Sequence, residues 1–137
     1  MASAAAAEEA GAAAASAPDD PLPQTVEDLV VFVPLAFGAV LLVTGLLAAA
    51  GRLPRNDWIG LRLHELMRNE ESWDVGHRAG APWLVAGGLV DTVAGTALAL
   101  RHDELGSPSV AGVTLVVVAV VAYTAASMRA LSAVRRR

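Results

Sequence analysis

The sequence predicts an all-α integral membrane fold: three transmembrane helices, with a structured amphipathic cytoplasmic loop between the first and second. Three observations predict it. Residues 29–50, 82–100 and 109–128 are apolar runs of 22, 19 and 20 residues that hold one charge among them, Asp91. At about 1.5 Å of rise per residue, each covers a hydrocarbon core of about 30 Å. Hydrophobic residues make up 55% of the 137 and charged residues only 18%, too apolar a balance for a wetted surface. The runs are also apolar on all sides, where a soluble bundle would show polar stripes at helical period. With no water in the bilayer core, backbone groups must pair within each segment, so the spans are helices.

Composition removes several function classes. There is no cysteine, which excludes disulfide scaffolds, thiolate nucleophiles and Cys-based metal sites. The formal charge is −4 and no strongly basic domain exists, so direct nucleic-acid binding is not expected. No Ser–base arrangement and no Gly-rich phosphate loop suggests catalysis, and no cofactor is expected. His64, Glu65 and His77 do not have metal-site spacing.

Taken in order, residues 1–28 are Ala-rich and acidic, with Pro18, Pro21 and Pro23 before the first span. They lack the basic n-region and Leu-rich h-region of a signal peptide. Two readings stand: a flexible extracytoplasmic tail, or residues upstream of the true start codon. Thr25 and Asp28 have capping-box spacing, so a helix is expected from about Val26. Pro34 falls in the first turns of span one, where it is expected to kink the helix. Residues 29–130 form the membrane domain, and residues 131–137 a basic cytoplasmic tail.

All ten basic residues are arginines, and nine of them lie in residues 51–81 or 129–137. With three spans those two segments share one side, and arginine-rich loops stay cytoplasmic. The N-terminus is therefore expected outside, and the long loop and C-terminus inside, at the cell membrane. Trp58, Trp73 and Trp83 fall near the cytoplasmic ends of spans one and two, and indoles favour the headgroup layer.

The loop after span one is too long for a simple connection. Trp58, Ile59, Leu61, Leu63, Leu66 and Met67 alternate with Arg62, His64, Glu65 and Arg68, which suggests a short helix lying in the interface. Asn69 is a good N-cap for a second short helix, with Glu70 and Glu71 meeting its dipole. Asp74 and Arg78 stand at i, i+4 and can pair, and Trp73 and His77 share that spacing. Gly80 and Pro82 are expected to close this segment before span two. The Arg62 and Arg78 guanidiniums also suit lipid phosphate or a partner protein.

At Asn56, Gly60, Leu61, Arg62, Glu70, Glu71, Trp73, His77, Arg78 and Gly80 the chain resembles the SdpI-like immunity protein family. These bacterial membrane proteins carry an Asn, a Gly-apolar-Arg step, acids, a Trp and a His-Arg pair after the first of three spans. The resemblance extends over about residues 29–130. Leu63 and His64 stand where the family usually continues with Thr and Pro, and longer members carry an extra N-terminal membrane half. The resemblance implies a non-enzymatic role in immunity to a secreted peptide toxin, or signalling through tethering of a cytoplasmic repressor, with residues 56–80 as the working surface.

Asp91 stands alone in span two, among Gly87, Gly88, Ala94 and Gly95 at i−4, i−3, i+3 and i+4. A carboxylate at that depth costs about 2.5–3.5 kcal/mol on insertion scales, so it needs a partner or a proton. A hydrogen bond to Thr44, Thr114, Tyr123 or Ser127 is one expectation. A peptide, ion or proton site is the other, which would make the chain a small transporter- or channel-like subunit acting as a homo-oligomer. A third class, an enzyme acting on lipid headgroups through Arg62, Glu70 and His77, is the remaining alternative. Membrane lipids are the partners common to all.

Overall fold

The computed structural model describes residues 24–101 and 109–136. They form three helices, α1 (Gln24–Ala49), α2 (Glu70–Arg101) and α3 (Ser109–Arg135), and no strand. Each is long and apolar enough to cross a membrane, and the chain is a multi-pass membrane protein. The expected tail over residues 1–23, and His102, lie outside the described residues.

The helix limits differ from expectation in three places. Helix α1 begins at Gln24, so Thr25 is inside it instead of capping it, and it continues through Pro34 to Ala49. Helix α2 runs unbroken for 32 residues past Gly80 and Pro82, about 48 Å, so the expected second interfacial helix is its first three turns. A proline there removes one bond to the preceding turn, and the twenty residues beyond it sustain the helix. The last helix carries on to Arg135, which makes most of the expected C-terminal tail helical.

Helix α2 is the centre of the bundle. It packs along both α1 and α3, which touch each other only slightly. Without a hydrophobic force between helices in lipid, such packing depends on close backbone approach over small residues. Gly38 of α1 lies against Asp91 and Thr92 of α2, and a Cβ there would stand 2.5 Å from the Asp91 Cβ. Gly88 of α2 lies against the backbone of Gly38 and Leu42. On α3, Ala119, Ala122, Ala126 and Ala130 form the buried stripe. The valines and leucines on the outer faces, such as Val40, Val43, Leu89, Val93, Val117 and Val121, are exposed, as lipid-facing residues must be.

The loop between α1 and α2 does not form the expected amphipathic helix. Helix α1 ends in a Schellman motif: Arg52 N–H donates to Leu47 O (2.8 Å) and Gly51 N–H to Ala48 O (3.1 Å), with Gly51 at φ 64°. Thereafter only one turn forms, where Leu66 and Met67 N–H both donate to Leu63 O. Leu61 and Leu66 are fully buried and join Leu41, Leu84, Ala126 and Ala130 in one core cluster. The loop's apolar residues thus face into the bundle end as well as outward to lipid.

The glycine seam makes a direct prediction. Gly88→Ala would force a methyl into the Leu42 backbone and should destabilise the bundle by about 1–3 kcal/mol. Val90→Ala, on the exposed face of the same helix, should change stability by less than about 0.5 kcal/mol. Denaturant titration of helix content in detergent distinguishes the two.

Candidate functional site

The site is the place where residues 53–68 cross the end of the bundle. It begins with Asn56, whose Oδ1 accepts from Trp58 N–H (2.8 Å) and Ile59 N–H (2.7 Å) while its Nδ2 donates to Pro54 O (2.8 Å). An Asx turn of this kind fixes the chain's reversal without a helix or strand. It delivers the backbone to Gly60, which has φ 120°, a conformation closed to residues with a side chain. A Cβ on Gly60 would also stand 2.5 Å from His77 Nε2. The glycine therefore serves both the turn and the approach.

Helix α2 meets this chain with a ladder of buried groups. Asn69 caps it as expected, with Oδ1 accepting from Ser72 N–H at 2.8 Å. One turn later Trp73 donates from Nε1 to Leu53 O (2.9 Å), and one turn after that His77 Nε2 accepts from Leu61 N–H (2.7 Å). His77 Nδ1 lies 2.8 Å from Trp73 O. These two contacts fix the tautomer: Nδ1 carries the proton, donating to a carbonyl, and Nε2 is bare, accepting from an amide. The rings of Trp73 and His77 lie 4.0 Å apart. Between the rungs, Leu66 covers Gly76 and Leu61 covers Gly80, so each glycine is a socket for a loop leucine.

Trp73 is therefore no headgroup anchor. It is 2% exposed, because its indole N–H has a backbone carbonyl to pair with inside the protein. Trp58, at 89%, and Trp83, at 44%, stay exposed at the two sides of the site.

The charged residues lie outside this ladder. Arg78 pairs with Asp74 as the spacing suggests, Nη2 to Oδ2 at 3.1 Å, and its guanidinium rests on Gly51 at the carbonyl end of α1. Both members are about half exposed, so the pair contributes little by itself. Glu65 binds Arg135 of α3 at 3.0 Å, tying the loop to the third helix. The Arg135 guanidinium holds the Glu65 carboxyl below its usual range. Arg62, Glu70 and Glu71 are exposed. Asn56, Gly60, Trp73, His77 and Gly80 thus build the crossing, whereas Arg62, Glu70, Glu71 and Arg78 present charge around it.

The family model for the SdpI/YfhL protein family matches residues 52–128. The chain belongs to that family. Compared with curated proteins and with solved structures, the chain has no match. The matched segment starts after α1 and contains the whole crossing, so the SdpI/YfhL signature coincides with the loop, α2 and most of α3. Among the described residues no group of three metal-ligating side chains comes together.

Asp91 lies well away from this crossing, in the glycine seam between α1 and α2. It is fully buried, and among the described residues neither carboxylate oxygen has a hydrogen-bond partner. The expected bond to Thr44, Thr114, Tyr123 or Ser127 does not form. The close backbone approach at Gly38 encloses Asp91 on the α1 side, while Thr114 donates to Val110 O in its own helix.

Sequence reasoning missed Gly76 and took Leu66 for a lipid-facing residue. The signal was present in the spacing: Gly76 and Gly80 are one turn apart on the face that carries Trp73 and His77.

Residues 70–81 precede the apolar stretch of α2, and there burial holds the His77 imidazole below its ordinary value, against the opposing pull of Trp73 O and Asp74. A histidine depressed in the fold contributes stability that is full above its unfolded value and is lost as pH falls through the folded one. Protonation would also set Nε2–H against Leu61 N–H. The protein should therefore lose thermal stability in detergent below about pH 6.5, and His77→Phe should lack that pH-dependent part.

Proposed function

We propose that this SdpI/YfhL family member is a non-enzymatic immunity or signalling protein of the bacterial cell membrane. The observation that carries this reading is the division of labour in residues 56–80. A buried framework of Asn56, Gly60, Trp73, His77 and Gly80 holds the chain rigid, and four charged side chains, Arg62, Glu70, Glu71 and Arg78, are displayed on it. Such a surface suits recognition more than catalysis, since it offers no nucleophile beside a base. With nine of ten arginines on the loop and C-terminal side, the positive-inside rule puts this surface in the cytoplasm and the N-terminus outside.

In this reading a secreted peptide toxin acting in the membrane shifts helix packing, and the loop reports the shift to a cytoplasmic repressor. The device is suited to it: the loop is fastened to α2 by two buried hydrogen bonds and to α3 by Glu65–Arg135. A change in the α2–α3 angle would pull on these attachments unequally and give two states of different partner affinity.

A second reading rests on one specific observation, the unpartnered Asp91 carboxylate. It would make the chain a transporter- or channel-like subunit, functioning as a homo-oligomer because three spans are few for a pathway.

One survival assay separates them. A toxin-sensitive host expressing the chain is challenged with a membrane-active secreted peptide. Immunity predicts that wild type and Asp91→Asn protect, and that Arg62→Ala and Arg78→Ala fall to the empty-vector level at equal expression. Transport predicts the reverse pattern.

A further inference from the structure

We propose that the cleft between α2 and α3 at the loop end of the bundle holds the phosphate of an anionic phospholipid from the adjoining leaflet. The cleft has a volume of about 240 Å³. Its floor is Ala79, Ser132 and Ala133, and its sides are Trp83 of α2 and Arg129 and Arg136 of α3.

Its depth in the bilayer follows from helix geometry. Trp83 stands 18 residues before Arg101, the far end of α2, and Arg129 stands 20 residues after Ser109, the far end of α3. At about 1.5 Å per residue these are about 27 and 30 Å, one hydrocarbon thickness. The cleft is therefore at the boundary where lipid phosphates lie. Trp83 is 44% exposed there, as an indole in the headgroup layer should be.

Its charge selects the lipid. Arg129 and Arg136 are two helical turns apart on one face, about 10.5 Å along the axis. Both are exposed, and no carboxylate lines the cleft. The adjacent Arg135 is turned away to Glu65, and Arg78 to Asp74, so the nearby acids are engaged elsewhere. The Ser132 hydroxyl donates back to Arg129 O (2.8 Å), which keeps the floor between the guanidiniums low. Two forked donors over a small-residue floor, with an indole beside them, fit one phosphate group whose acyl chains run down the outer faces of α2 and α3. A neutral phosphocholine brings its own cation to the same place and leaves the arginines less compensated.

Native mass spectrometry of the full chain in detergent, titrated with phosphatidylglycerol or phosphatidylcholine, tests this. One phosphatidylglycerol per chain should bind in preference to phosphatidylcholine. Arg129→Gln with Arg136→Gln should weaken it by about thirtyfold, and Ser132→Glu, which puts a carboxylate on the floor, should weaken it as well. Arg52→Gln with Arg55→Gln, the same charge change on the same side, should leave it in place. Equal binding of both lipids would overturn the proposal. So would equal loss in the Arg52/Arg55 variant, displacement by glycerol phosphate at the lipid's own concentration, or occupation of the cleft by a second chain.

Discussion

A stretch of chain without helix or strand crosses the end of this bundle, and its backbone groups need partners where water is scarce. That requirement organises the structure. Leu53 offers a buried carbonyl and Leu61 a buried amide, and α2 answers with the Trp73 indole N–H and the bare nitrogen of His77. One donor and one acceptor, a helical turn apart, are matched to one acceptor and one donor in the loop. The leucines that follow can then enter the core at Gly76 and Gly80, since a buried loop is tolerable only once its polar groups are satisfied.

The rest depends on that match. Gly60 is needed because the backbone must approach His77 closely, and Asn56 because the turn before it has no other support. The long first helical turns of α2 are needed because a helix ending at the membrane surface would leave Trp73 and His77 without a rigid base. The family signature of SdpI/YfhL proteins, as this chain carries it, is in large part the chemistry of fastening one loop to one helix. The exposed arginines and acids are what that fastening holds in place. Asp91 belongs to a separate constraint, the glycine seam deeper in the membrane, and shares no residue with the crossing.

The spans were legible in the sequence because twenty apolar residues in a row have few other uses. Asn69 as a cap and the Asp74–Arg78 pair were legible because both are local and depend on spacing alone. The loop was not. An amphipathic pattern over residues 57–68 fits a helix on lipid and a chain pressed against a bundle equally well, and only the tertiary sockets at Gly76 and Gly80 decide between them. Trp73 was misplaced for the same reason: a tryptophan near a membrane boundary goes to the headgroups unless a buried carbonyl awaits its N–H. The expected partners of Asp91 failed because hydroxyls near in sequence register were already bonded within their own helices or turned to other faces. Pro82 broke nothing, since twenty further residues of helix outweigh one missing bond.

The central claim, that His77 holds the loop through Leu61, is tested most directly by hydrogen exchange at the Leu61 amide, measured by NMR on the full chain in detergent micelles. The account predicts slow exchange, comparable with amides in the middle of α2, although Leu61 lies in neither helix nor strand. Exchange as fast as at the exposed residues of the same loop would contradict it.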